Sequence, residues 1–163
     1  MSRPHHYVDP DRVRPLLAAV ALRESCKLHY QSMTSSSAVE RVVCSHALVK
    51  AAGRWHVRAF DFVRKRFIDF SLSRVLRSEA LPSQAPVPAD LDDDWHAIVS
   101  VEFVPHPKLS ATQRQIIGHE FRMDDGQLIV QIRRALLFYL LDEMRLLVAI
   151  RRGKRTLRTS RSG

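Results

Sequence analysis

The chain has 163 residues and a mass of 18.7 kDa, enough for one ordinary domain or two small ones, each with a modest core. With 45% hydrophobic and 26% charged residues, its composition is that of a folded globular protein and not of a disordered chain. Two cysteines exclude a disulfide scaffold, and neither a signal peptide nor an apolar stretch of bilayer length is visible, so a soluble, cytoplasmic protein away from membranes is expected.

Charge is unevenly spread. The formal net charge is +9, but residues 151–163 read RRGKRTLRTSRSG, with six basic residues and no acid, and without them the charge falls to +3. This end is expected to be a disordered basic tail. Such a tail binds polyanions through counterion release without reading sequence, or simply keeps the chain soluble. A high isoelectric point therefore does not by itself define a DNA-binding protein.

In chain order, Asp11 to Glu24 sets Val13, Leu16, Leu17, Val20 and Ala21 at helical spacing, with Asp9 and Pro10 suited to the start and Pro15 within the first turns. The period then changes to two. Cys26, Leu28 and Tyr30 alternate with Lys27, His29 and Gln31, a Ser-rich turn spans Thr34 to Ser37, and Val39 to Val49 is rich in β-formers. Gly53 marks a turn, after which Trp55, Val57 and Ala59 alternate with Arg54, His56 and Arg58. Phe62 to Arg66 turns the chain into a short strand, Phe67 to Leu72. Several short strands after one helix predict a small barrel.

Glu79 to Asp94, EALPSQAPVPADLDDD, carries Pro82, Pro86 and Pro88 and reads as a linker. Beyond it, Trp95 to Val104 alternates as a half-buried strand, and Ser110 is suited to cap a helix through His119. Phe121 to Met123 and Leu128 to Ile132 flank Asp124-Asp125-Gly126 as a hairpin. Arg134 to Leu147 is the strongest helix, with an apolar stripe of Leu137, Tyr139, Leu140, Leu141, Met144 and Leu147. That stripe faces its own sheet or, in part, a partner subunit. The order β-α-β-β-α predicts a small sheet covered on one face by two helices.

Catalytic motifs are missing from the pattern. No Gly-rich phosphate loop, HExxH or GxSxG occurs, and five glycines leave little room for a nucleotide-cradling turn. Cys44 and His46, with His56 nearby, lack the second ligand pair that zinc needs, and His5-His6 is a terminal pair of no consequence. No enzyme activity, metal or cofactor is expected. The informative group is Arg54, His56 and Arg58, at i, i+2 and i+4 along one strand face. Aligned cations repel one another unless an anion or acid neutralises them. Arginine pairs with phosphate in bidentate fashion and histidine adds a pH-dependent donor. Glu40, Asp61 and Asp69 are close enough in sequence to serve as internal partners instead. Spacing alone leaves a solvated face and an anion site both open. Trp55, on the other face, is expected in the core.

Tyr30-Gln31-Ser32, Glu40-Arg41, His46-Ala47-Leu48-Val49, Arg54-Trp55-His56-Val57-Arg58-Ala59-Phe60 and Asp69-Phe70-Ser71-Leu72-Ser73-Arg74 together resemble WYL-domain proteins, most nearly the WYL transcriptional regulators of bacterial anti-phage defence operons. The name-giving Trp-Tyr-Leu falls on Trp55-His56-Val57, and Ser45 stands where a proline usually precedes the His-Ala-Leu-Val run. The resemblance implies an α+β protein: a helical connector over 1–25, an Sm/SH3-like WYL barrel over 26–81, a linker over 82–94, a C-terminal dimerisation domain over 95–150 and the tail over 151–163. It also implies a sensor that binds an anionic nucleotide, oligonucleotide or single-stranded nucleic acid in a basic barrel pocket. By matching position that pocket uses Tyr30, Ser32, His46, His56, Arg58 and Arg74, together with Arg41 and Arg54. Family members carry a winged helix-turn-helix ahead of the barrel; none is seen in these residues, so operator DNA is a partner only where the full-length protein has one. The competing reading is a non-specific nucleic-acid binder that uses the barrel face and the basic tail.

Overall fold

The structure, a computed structural model, describes residues 6–144 and 148–150. His5, the expected helix end at 145–147 and the basic tail 151–163 lie outside the described residues. The chain forms two compact units, Met1–Leu91 and Asp92–Gly163. Among the described residues, no helix is long and apolar enough to cross a membrane.

In the first unit, helix α1 (Pro10–Leu22) begins at Asp9, whose side chain accepts the Asp11 amide at 3.1 Å. Pro10 at the first helical position wastes no donor. The helix closes on Arg23 in the left-handed conformation (φ 59°), with the Glu24 amide reaching back to the Ala19 carbonyl. Val13, Leu16 and Ala19 are buried; Leu17 and Ala21, expected on the same stripe, are exposed. Five strands follow: β1 (Ser25–Tyr30), β2 (Val39–Ala51), β3 (Arg54–Asp61), β4 (Arg66–Ser71) and β5 (Val75–Ala80). They pair antiparallel in the order β4-β3-β2-β1-β5, and a 3₁₀ turn, Leu72–Arg74, links the two edge strands. Helix α1 packs on β1, β2 and β5, and the Ser78 hydroxyl donates to the Arg12 carbonyl at 2.5 Å. Leu16, Cys26, Leu28, Val43, Val57 and Ala59 fill the core between them.

Two local features decide what the sheet presents. Ala52 (φ 50°) and Gly53 (φ 71°) turn the chain between β2 and β3, both left-handed, as a tight hairpin turn requires. Between Ser45 and Ala47 the register of β2 shifts, which makes His46 a bulge residue and bends this long strand.

The second unit has a three-stranded sheet in the order β7-β6-β8, from β6 (Ile98–Pro105), β7 (Leu128–Arg133) and β8 (Val148–Ile150). A short helix α2 (Asp93–His96) precedes it, and α3 (Ala111–Glu120) and α4 (Leu137–Met144) lie between the strands. The expected capping box is present: Ser110 Oγ accepts the Gln113 amide at 3.2 Å, and the Gln113 side chain accepts the Ser110 amide at 2.8 Å. Val101, Phe103, Ile117 and Val148 form the core, with Leu137, Leu140, Leu141 and Met144 packed against it; Phe138 points to solvent.

The α+β class stands, while several finer expectations are corrected. The C-terminal order is β-α-β-α-β, because 148–150 returns to pair with β6 after α4. Trp95 and His96 belong to α2, since the Asp92 carboxylate caps the Trp95 amide, and the strand starts only at Ile98. Asp125 (φ 48°) and Gly126 (φ 73°) do make a tight turn, but Phe121–Met123 is no strand. Its backbone closes α3 instead: the Met123 amide bonds to the Gly118 carbonyl and Arg122 is left-handed, so β7 pairs with β6 alone among the described strands. The helix expected from Arg134 begins as a 3₁₀ turn and becomes α-helical only at Leu137.

Candidate anion-binding site

On β3 the side chains of Arg54, His56, Arg58 and Phe60 share one face, and Trp55, Val57, Ala59 and Asp61 the other. Only the middle of the second face joins the core: Val57 and Ala59 are fully buried, whereas Trp55 is 42% exposed. The expectation that Trp55 is core is therefore corrected. It sits on the hairpin directly opposite Lys50, whose ammonium lies 5.6 Å from the indole centroid.

The cationic face is not solvated. His56 is 7% exposed and Arg58 6%. Antiparallel pairing sets His56 opposite Ser71 and Arg58 opposite Asp69 on β4, and Val49 and Ala47 opposite them on β2. Arg58 Nη1 reaches Asp69 Oδ1 at 3.2 Å, an ion pair almost wholly out of water. Burial lowers the His56 pKa from its ordinary 6.5; the Asp69 charge opposes this, and the Arg54 and Arg74 charges add to it. His56 thus shares its strand face with Arg54 and Arg58, and the Arg74 and Asp69 charges act on it. Arg54, partly exposed, donates from Nε to His6 Nε2 at 2.9 Å, and Arg74, also partly exposed, comes from the 3₁₀ turn before β5.

Tyr30, from β1, lies in the core. Its ring packs edge-on to Phe70 (centroids 5.1 Å apart), and its hydroxyl oxygen accepts the Ser71 amide at 3.1 Å. Ser71 and Ser73 share a hydroxyl–hydroxyl bond of 3.1 Å. Toward the Asp61 end, the face turns aromatic. Phe60 lies opposite Phe67, with ring centroids 5.3 Å apart, and His46 packs edge-on to Phe67 at 5.5 Å. One sheet face therefore runs from clustered cations to partly exposed aromatic rings.

Of the residues expected in the pocket, Arg54, His56 and Arg58 share one strand face and Arg74 acts on His56, while Tyr30 lies in the core with its hydroxyl on the Ser71 amide and His46 packs at the aromatic end. Two lie apart. Arg41 sits 3.9 Å from the buried Asp61 carboxylate, where Arg64 also approaches at 4.0 Å, at the opposite end of β3 from Arg54. Ser32 is engaged locally, bonded to the Thr34 hydroxyl at 2.7 Å and to its amide at 3.0 Å. Asp69 and Ser71 were not expected in the pocket. Strand pairing of 54–60 with 67–72 was the signal that could have placed them there, since it sets them opposite Arg58 and His56. Elsewhere Cys44 Sγ accepts the Val87 amide at 3.3 Å, so the proline-rich segment lies over that end of the sheet. Among the described residues, no three His, Cys, Asp or Glu side chains are grouped to hold a metal.

Residues 11–80 match the WYL domain, and residues 98–158 match the C-terminal dimerization domain of the BrxR transcriptional regulator. Residues 11–80 are thus a WYL domain. Over most of its length the chain is similar to proteins named DNA-binding transcriptional repressor CapW. That of Pseudomonas aeruginosa is 40% identical over 139 residues, 85% of this chain and 46% of the relative. That of Stenotrophomonas maltophilia is 36% identical over 143 residues, 88% of this chain and 48% of the relative. The Escherichia coli protein is 34% identical over 140 residues, covering 85% and 46%. The chain thus spans about half the length of these relatives. Among solved structures, proteasome accessory factor B/C of Arthrobacter aurescens aligns with a TM-score of 0.42 and 17% identity, over 91% of this chain and 25% of that one.

Proposed function

We propose that this chain is the ligand-sensing and dimerisation region of a transcriptional regulator, with a role in controlling an anti-phage defence operon. The barrel (26–81) binds an anionic nucleotide or nucleic-acid fragment, the segment 82–94 connects, and residues 95–150 hold two copies together. The protein acts in the cytoplasm by binding and not by turnover. Ligand binding favours one arrangement of the two subunits and so shifts the spacing of attached DNA-reading domains on an operator. The repressor names of its relatives support the regulatory part of this reading.

The observation that carries the ligand assignment is the row of Arg54, His56 and Arg58 on one strand face, with Arg74 acting on His56 and Asp69 paired to Arg58. A guanidinium held away from water, as that of Arg58 is, pairs with phosphate strongly and directionally. The neighbouring Phe60, Phe67 and His46 rings offer stacking surface for a base. Fluorescence anisotropy of a short single-stranded DNA oligomer against the full chain tests the assignment. Saturable binding that Arg58→Ala abolishes, and that Arg74→Ala weakens without touching the Arg58–Asp69 pair, supports it.

The basic tail favours a second reading, non-specific nucleic-acid binding. It predicts a steep salt dependence that disappears when the six basic residues of 151–163 are replaced by glutamine, while Arg74→Ala has no effect.

A further inference from the structure

Arg58 meets any incoming anion with a carboxylate already in place. Its guanidinium lies 3.2 Å from Asp69, the two side chains are 7% and 12% exposed, and strand register holds them directly opposite each other. A guanidinium has five N–H donors, so one that serves a carboxylate can serve a further acceptor as well. An anionic ligand must, however, approach an ionised carboxylate in a poorly hydrated place, where like charges repel far more than in water. An ionised carboxylate only accepts hydrogen bonds. A ligand that brings a donor to Asp69 converts the repulsion into a charge-assisted bond; one that brings only acceptors does not.

We propose that Asp69 is the specificity-determining residue of this site: it rejects bare anions and accepts a hydrogen bond from a ligand that carries a hydroxyl or amino donor beside its phosphate, as a nucleotide does. This rests on the reading of the cluster as a nucleotide site and names what the cluster selects. Sulfate, fully ionised and without a donor, is the discriminating probe.

Sulfate and a short single-stranded DNA oligomer are titrated by calorimetry into the full wild-type chain and into Asp69→Asn, with Glu79→Gln on β5 making the same net-charge change elsewhere. Asparagine keeps the size and an acceptor for Arg58. The expected result is that Asp69→Asn raises sulfate affinity about tenfold, a change of 1.4 kcal/mol. Preference for the oligomer over sulfate should shrink by at least as much, while Glu79→Gln leaves it unchanged. Asp69→Glu serves as a second variant that keeps the charge, and it should still reject sulfate. An unchanged oligomer-to-sulfate preference in Asp69→Asn, equal shifts in Asp69→Asn and Glu79→Gln, or sulfate binding by Asp69→Glu overturns the proposal alone. Wild-type chain that binds no oligomer overturns both the proposal and the reading beneath it.

Discussion

Arg58 on β3 and Asp69 on β4 face each other across an antiparallel pair, with Nη1 3.2 Å from Oδ1 and both side chains nearly excluded from solvent. A buried ion pair contributes little net stability compared with a well-packed apolar pair, but removing one partner strands the other's charge. Asp69→Ala should therefore destabilise the first unit by about 3 kcal/mol, and Arg58→Met with Asp69→Leu should recover most of that loss. Urea unfolding of the single and double variants measures both. Equal losses in the two would show that the pair itself is not the source.

Histidine 56 makes stability depend on pH. Burial holds its folded pKa below the 6.5 of the unfolded chain, so between those values the unfolded state binds the extra proton. Its contribution is present above about pH 6.5 and is lost as pH falls through the unfolded value toward the folded one. Unfolding midpoints measured from pH 7.5 down to pH 5 should drop more steeply in the wild-type chain than in His56→Gln.

Thiol chemistry should be silent in the folded protein. Cys26 is buried in the core, and burial raises its pKa from 9.0 to about 11, while Cys44 is 3% exposed under the Val87 amide. The thiolate is the reactive form. At pH 8 a thiol reagent should label neither residue in native buffer and both in denaturant, as mass spectrometry would report.

Helix α1 is held to the sheet by a few fully buried side chains. Leu16 has no exposed surface, and Leu16→Ala should cost about 3 kcal/mol through lost burial and the cavity left behind. Leu17→Ala, one position on and partly exposed, should cost well under half as much. Thermal unfolding of the two variants makes the comparison.

The alternation of Cys26, Leu28 and Tyr30, the turn at Gly53 and the cap at Ser110 were legible because each is a local signal with one structural meaning. Trp55 was misread for the opposite reason. Alternation assigns a face, but not where along the strand the core ends, and the β2–β3 hairpin extends past it. Likewise Arg54, His56 and Arg58 look like a solvated row until β4 is laid beside them and Asp69 falls opposite Arg58. The failed hairpin at Asp125-Gly126 shows a competition between local motifs, since the left-handed Arg122 that ends α3 uses the residues one strand would need. Arg41 and Ser32 were placed in the pocket by resemblance; in the structure Arg41 lies 3.9 Å from Asp61 and Ser32 bonds to Thr34.

The central claim is that the cation cluster on β3 takes an anionic ligand, and histidine NMR tests it most directly. A short single-stranded DNA oligomer is titrated into isotopically labelled full chain while the imidazole signals of His56 and of His29, exposed on β1, are followed. The account predicts a saturable shift of His56 that needs more oligomer to saturate in Arg74→Ala, with His29 unmoved. Binding that shifts only residues of the 151–163 tail and leaves His56 where it was would contradict it.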